Sequence, residues 1–100
     1  MKDVQIEVIK ITEYKDISLL YEIPQEAPCA MKLGQIFISK NAEKPDDFCS
    51  EAWKTIAPFV KDLANGKGNF YGKWMKDPMS ACISCNDGFR PVSFLLKAIY

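Results

Sequence analysis

Residues 80–99 read SACISCNDGFRPVSFLLKAI, and this stretch decides the fold. Val92, Phe94, Leu96 and Ala98 recur at every second position, the period of a strand with one buried face. Ser80 to Cys85 forms a second run. Between them, Asn86-Asp87-Gly88-Phe89 is a hairpin signal, because Asp-Gly supplies the positive φ that tight primed turns need. Pro91 has no amide hydrogen to give to a ladder, so it marks an edge or the start of a strand. The expectation is an antiparallel pair, residues 80–86 with 90–99.

Further strands lie upstream. Residues 3–12 put Val4, Ile6 and Val8 on one face and Gln5 and Glu7 on the other, before Ile9 and Ile11 bring apolar side chains to the second face. A bulge near Ile9, or burial of both faces, accounts for the change. Gly34 opens a strand over 34–39, with Ile36 and Ile38 on one face and Phe37 on the other. Ala52, Ile56, Phe59 or Val60, and Leu63 recur at helical spacing between Ser50, a good N-cap, and Gly66, a C′ stop signal. This predicts a helix over 50–65, which Pro58 should kink or split. Asp16 is expected to cap a short helical turn through Ile17 and Leu20 that ends before Pro24. Residues 24–32, 41–47 and 66–79 read as loops.

These elements define an α+β fold, an antiparallel sheet of about four strands with one main helix, about 50–65, packed on one face. With 100 residues the chain suits one domain. The expected core comprises Val4, Ile6, Val8, Ile36, Phe37, Trp53, Ile56, Val60, Leu63, Val92, Phe94 and Leu96.

Acidic and basic residues balance at 13 each, which removes the field that would steer the chain onto nucleic acid or an anionic membrane. Neither partner is expected. The N-terminus lacks a continuous apolar segment for export and no run approaches a membrane span, so a cytoplasmic location is expected. In a reducing compartment the 4 cysteines would not form lasting disulfides. The chain has no histidine, which excludes Ser-His-Asp and Cys-His catalysis and histidine-ligated metals within one chain.

Three blocks of residues form a longer pattern: Gly34-x-x-Phe37, then Pro45-x-x-Phe48-Cys49-x-x-Ala52-Trp53-x-x-Ile56, then Cys85-x-Asp87-Gly88-x-Arg90-Pro91-Val92-x-Phe94. The pattern resembles a family of small bacterial and archaeal proteins of about this length, common among anaerobes. The resemblance spans nearly the whole chain. Cys29, which follows a proline, fits it, whereas Cys82 does not. The family has no established activity, so the resemblance implies positions and no mechanism.

The Cys82-x-x-Cys85 spacing suggests zinc or redox chemistry, but strand residues three apart point to opposite faces about 10 Å apart, while a disulfide needs Cα atoms within about 7 Å. A longer-range cluster of Cys29, Cys49 and Cys85 could hold zinc or an iron-sulfur cluster, with a fourth ligand from Cys82, a carboxylate or a partner chain. Burial as structural thiols stands first among the readings, and redox or nucleophilic chemistry is the third. A reactive thiol would be Cys49, because it precedes the helix and the positive end of the helix dipole favours a thiolate. The bland alternative is that Phe48 and Cys49 staple the start of the helix.

Asp87 and Arg90 bracket the hairpin and either orient an anionic group or pair with each other. Trp53 reads as core before ligand platform. Trp74, Phe70 and Tyr71, among Lys67, Lys73 and Lys76, could stack bases, but the neutral chain favours a solvated loop with aromatic anchors. Two functional classes remain. One is a binding or accessory module for a small ligand or a protein partner, as a monomer or a homodimer, with a pocket between the helix N-terminus, the 66–79 loop and the C-terminal hairpin. The other is a thiol-dependent metal-binding or redox protein centred on Cys49 with Cys29 and Cys85.

Overall fold

The structure, a computed structural model, describes residues 1–24 and 31–99. Its strands, β1 (Asp3–Ile11), β2 (Ile36–Ser39), β3 (Ser80–Ser84) and β4 (Val92–Ile99), form one antiparallel sheet of order β2-β1-β4-β3. The first and last strands therefore make the central pair, with Val4 opposite Ala98, Ile6 opposite Leu96 and Val8 opposite Phe94. Val4, Ile6, Val8, Phe94 and Leu96 are fully buried, so strict alternation buries one face. The β1–β4 register slips between Val8 and Lys10. Since Ile9 and Ile11 are exposed beyond that slip, the change of pattern near Ile9 is a bulge and not two-sided burial.

The helix α1 (Lys15–Tyr21) buries none of its residues. Asp16 does not cap it: Tyr14 holds the cap position without a side-chain bond, and Asp16 lies in the first turn. The main helix, α2 (Ser50–Ala64), lays Ala52, Ile56, Val60, Leu63 and Ala64 onto the inner face of the sheet. Cys49, not Ser50, is its N-cap, and contributes no side-chain hydrogen bond. The helix runs unsplit through Pro58, because the proline lies on the exposed side, where the Lys54 carbonyl deprived of its donor can meet water. It ends in a Schellman motif: Gly66 has φ 78°, its N–H donates to Leu63 O at 3.0 Å, and Lys67 N–H donates to Asp62 O at 2.9 Å.

Two expectations about strands are corrected. The β3–β4 connection is not a primed two-residue turn, since Gly88 does not take positive φ. Instead the Asp87 carboxylate accepts hydrogen bonds from the backbone amides of Phe89 and Arg90, at 2.8 and 3.1 Å, and shapes the wider bend itself. In β2 it is Phe37 and Ser39 that face the helix, while Ile36 is 54% exposed and leaves the core list. Phe48 decides this orientation, because its ring fills the space between Phe37 and Phe94, at centroid distances of 4.9 and 5.4 Å. Phe48, Ala52, Ala64, Ala81 and Ile83 also belong to the core, and Trp53 is partly buried beside it. No helix among the described residues is long and apolar enough to cross a membrane.

Truncating the fully buried Ile56 to Ala should cost about 2–5 kcal/mol in urea unfolding, whereas Leu19→Ala should stay within about 0.5 kcal/mol because Leu19 is 86% exposed. Gly66→Ala should cost about 1–2 kcal/mol through its left-handed backbone, despite open space around the Cα.

Candidate functional site

The bend between β3 and β4 faces the start of α2 across a cleft of about 340 Å³. Cys49, Glu51 and Ala52 supply the helix wall, and Cys85, Asn86, Asp87 and Arg90 supply the bend. Met31, Val92 and Phe94 give it an apolar floor, and Glu22 closes it from the end of α1. Inward alternation along β4 puts Val92 and Phe94 here. The Asp87 turn brings Arg90 to the same place.

Arg90 holds the site together. Its Nη2 donates to Glu22 Oε2 at 2.5 Å, and both side chains are about five-sixths buried, with 16% and 15% exposure. Ser18 Oγ donates to the other Glu22 oxygen at 2.7 Å, anchoring the carboxylate in its own helix. The hydrogen bonds from Arg90 and Ser18 hold the Glu22 carboxyl below the usual carboxylate range, and the same pair raises Arg90 above its already high value. The Arg90 Nε is buried and finds no partner among the described residues. Backbone bonds from Thr12 N to Pro91 O and from Tyr14 N to Phe89 O fasten the start of α1 to the same bend.

Cys49 and Cys85 line the cleft together, and both are half-buried. The Val92 amide donates to Cys85 Sγ at 3.3 Å, which fixes that sulfur toward the end of the ladder. Cys82 lies exposed on the opposite face of the sheet, so the two cysteines of the Cys-x-x-Cys spacing are separated as strand geometry requires. None of the three described thiols is fully buried, which departs from the reading of buried structural cysteines. Cys29 lies outside the described residues. Among the described residues no three histidine, cysteine or carboxylate side chains gather as metal ligands.

Of the other candidates, Asp87 and Arg90 do sit in the cleft, although Arg90 pairs with Glu22 and Asp87 binds backbone. Trp53 does not line it and packs edge-on against Phe48 at 6.0 Å. Trp74 is 73% exposed and stands against Tyr71, at 5.0 Å, in a separate hollow of about 270 Å³ over Ala81 and Cys82. The 66–79 loop therefore does not contribute to the cleft, because the Phe70–Lys73 turn, with left-handed Asn69, Tyr71, Gly72 and Lys73, folds over β3 instead. Sequence reasoning missed Glu22 and Met31. Glu22 stands 68 positions from Arg90, and no local spacing signals the pair.

Comparison with protein-family models, with curated proteins and with solved structures returns no match.

The Glu22 shift makes a pH prediction. A carboxylate held below its unfolded value contributes stability that is complete above the ordinary carboxylate range, and this is lost as pH falls through the lowered native value. Glu22→Gln should lower the urea midpoint at neutral pH and flatten the acid limb of a stability–pH profile. An unchanged limb would show that the pair does not couple to folding.

Proposed function

We propose that the protein is a small-ligand binding module whose site is the cleft between the N-terminus of α2 and the β3–β4 bend. The observation that carries this reading is the cleft itself: it falls within the roughly 300–1,000 Å³ range of small-molecule sites and combines an apolar floor with a few convergent polar groups. Two of the three blocks that carry the family resemblance also support it. Cys49 and Ala52 of one, and Cys85, Asp87, Arg90, Val92 and Phe94 of the other, all line this cleft. Its carboxylates are already engaged: Glu22 by Arg90, Asp87 by backbone amides and Glu51 by Lys54 at 3.0 Å. A small, partly apolar molecule that adds few charges suits such a lining.

A second reading, thiol-dependent chemistry centred on Cys49 with Cys85, is favoured by their common exposure to one cleft. One experiment separates the two. The ¹⁵N-labelled protein, screened against a library of small amides, alcohols and heterocycles, should show amide shifts confined to residues 49–52 and 85–92, and these should disappear in Cys49→Phe, which fills the helix side of the cleft. Hits that map instead to Tyr71 and Trp74, or no binding at millimolar concentration, would remove the ligand reading. Native iodoacetamide labelling uses exposed Cys82 as an internal reference: Cys49 labelled faster than Cys82 would promote the thiol reading, because a half-buried thiol outruns an exposed one only when it is activated.

A further inference from the structure

The two edges of the sheet are not alike. In an antiparallel ladder the backbone groups of successive residues point alternately to the two sides. Bonds from Ala98 N to Met79 O and from Cys85 N to Val92 O place the odd-numbered residues of β3 against β4, leaving Cys82 and Ser84 to face outward. That edge is guarded: the Phe70–Met75 segment folds over it, since the hollow it forms touches Ala81 of the inner face and Cys82 of the outer. The segment itself includes an exposed charge, Lys73.

The β2 edge has no such guard among the described residues. Val8 N donates to Gln35 O, and the register pairs Ile6 with Phe37 and Val4 with Ser39, so the N–H and C=O of Ile36 and Ile38 point away from β1. No described residue bonds to those four groups. Ile36 and Ile38 are 54% and 38% exposed on the outer face, and the strand holds no charge and no proline.

We propose that this edge pairs with the same edge of a second copy, forming a two-fold homodimer with a continuous eight-stranded sheet. The occupant follows from the palindrome Ile36-Phe37-Ile38. An antiparallel self-pairing centred on Phe37 sets Ile36 opposite Ile38 of the second copy, and Ile38 opposite its Ile36. Both are hydrogen-bonded pairs, so all four free groups are satisfied and isoleucine meets isoleucine twice on the outer face. Phe37, half-buried on the inner face, meets its own copy on the two-fold axis, where Cα atoms of a non-hydrogen-bonded pair stand about 4.5 Å apart. The next positions oppose Gln35 to Ser39, so no like charges meet. The axis lies perpendicular to the sheet, so both α2 helices stay on one side, and each cleft, at the start of β4, is separated from the new seam by β1 and β2.

Light scattering in reductant should give twice the monomer mass of 11.3 kDa at high micromolar concentration. Amide exchange at Ile36 and Ile38 should slow at least about tenfold between dilute and concentrated protein, as locally opened amides become paired. Ile38→Pro removes an outward N–H that no strand of the same copy uses, so it should leave the monomer folded by circular dichroism and abolish the dimer. Should that variant unfold, Ile36→Lys tests the same edge without touching the backbone and should weaken association at least about tenfold through its charge. Cys82→Pro, the matching change on β3, should leave the dimer intact. A monomer at every concentration, or a dimer lost in Cys82→Pro and retained in Ile36→Lys, would overturn the proposal.

Discussion

The pairing of β1 with β4 is the constraint on which the rest of the structure depends. These strands join residues near 3–11 to residues near 92–99 and stand at the centre of the sheet, so both flanking strands need them. Loop closure over such a separation is entropically costly and must be offset by what the pair buries. Val4, Ile6 and Val8 on one strand and Val92, Phe94 and Leu96 on the other provide that offset once α2 covers them. Ile56, Val60 and Leu63 are then fully buried because the face they cover is continuous across both strands.

From that pairing the position of the cleft follows. Since β4 runs antiparallel to β1, its first residues lie beside the end of β1, where the chain turns into α1. The β3–β4 bend and α1 are therefore neighbours in space although far apart in sequence. Arg90 and Glu22 convert that proximity into a fixed contact. Burying a guanidinium and a carboxylate together is costly unless geometry and extra hydrogen bonds compensate. Ser18 supplies one such bond to Glu22, while the buried Nε of Arg90 has no described partner. The result is an anchor for α1, which buries no apolar residue of its own and is held by this ion pair and two backbone bonds.

Much of the fold was legible because it rests on local periodicity. Alternation in β1 and β4, the helical spacing of Ala52, Ile56 and Leu63, and the glycine after α2 each report a backbone conformation through neighbouring residues. What misled was chemistry with two local solutions. Asp-Gly suits a primed turn, but with residues 85–91 between the strands the Asp87 side chain can cap a wider bend without left-handed glycine. In β2, apolar residues occupy both faces of a four-residue strand, so the period cannot say which side is buried; the decision belongs to Phe48, which arrives from a different segment. The cleft was legible in part, since Cys49, Cys85, Asp87 and Arg90 all reach it, whereas Glu22, Met31 and the exclusion of Trp53 and Trp74 depend on tertiary placement.

The parity of a strand also separates the thiols more sharply than their spacing does. Cys82 and Cys85 form the pattern that most resembles a metal or redox motif, yet an odd interval on an extended chain sends one to each side of the sheet. Cys82 faces outward and lines the hollow that holds Trp74, and Cys85 turns inward to line the same cleft as Cys49. The pair that shares an environment is thus 36 residues apart, joined by the packing of α2 on β4. Cys49 holds the cap position without bonding the first-turn amides, a place where serine or aspartate would stabilise the helix more. Whatever Cys49 contributes there, it is not capping, and the surface its side chain does meet is the cleft.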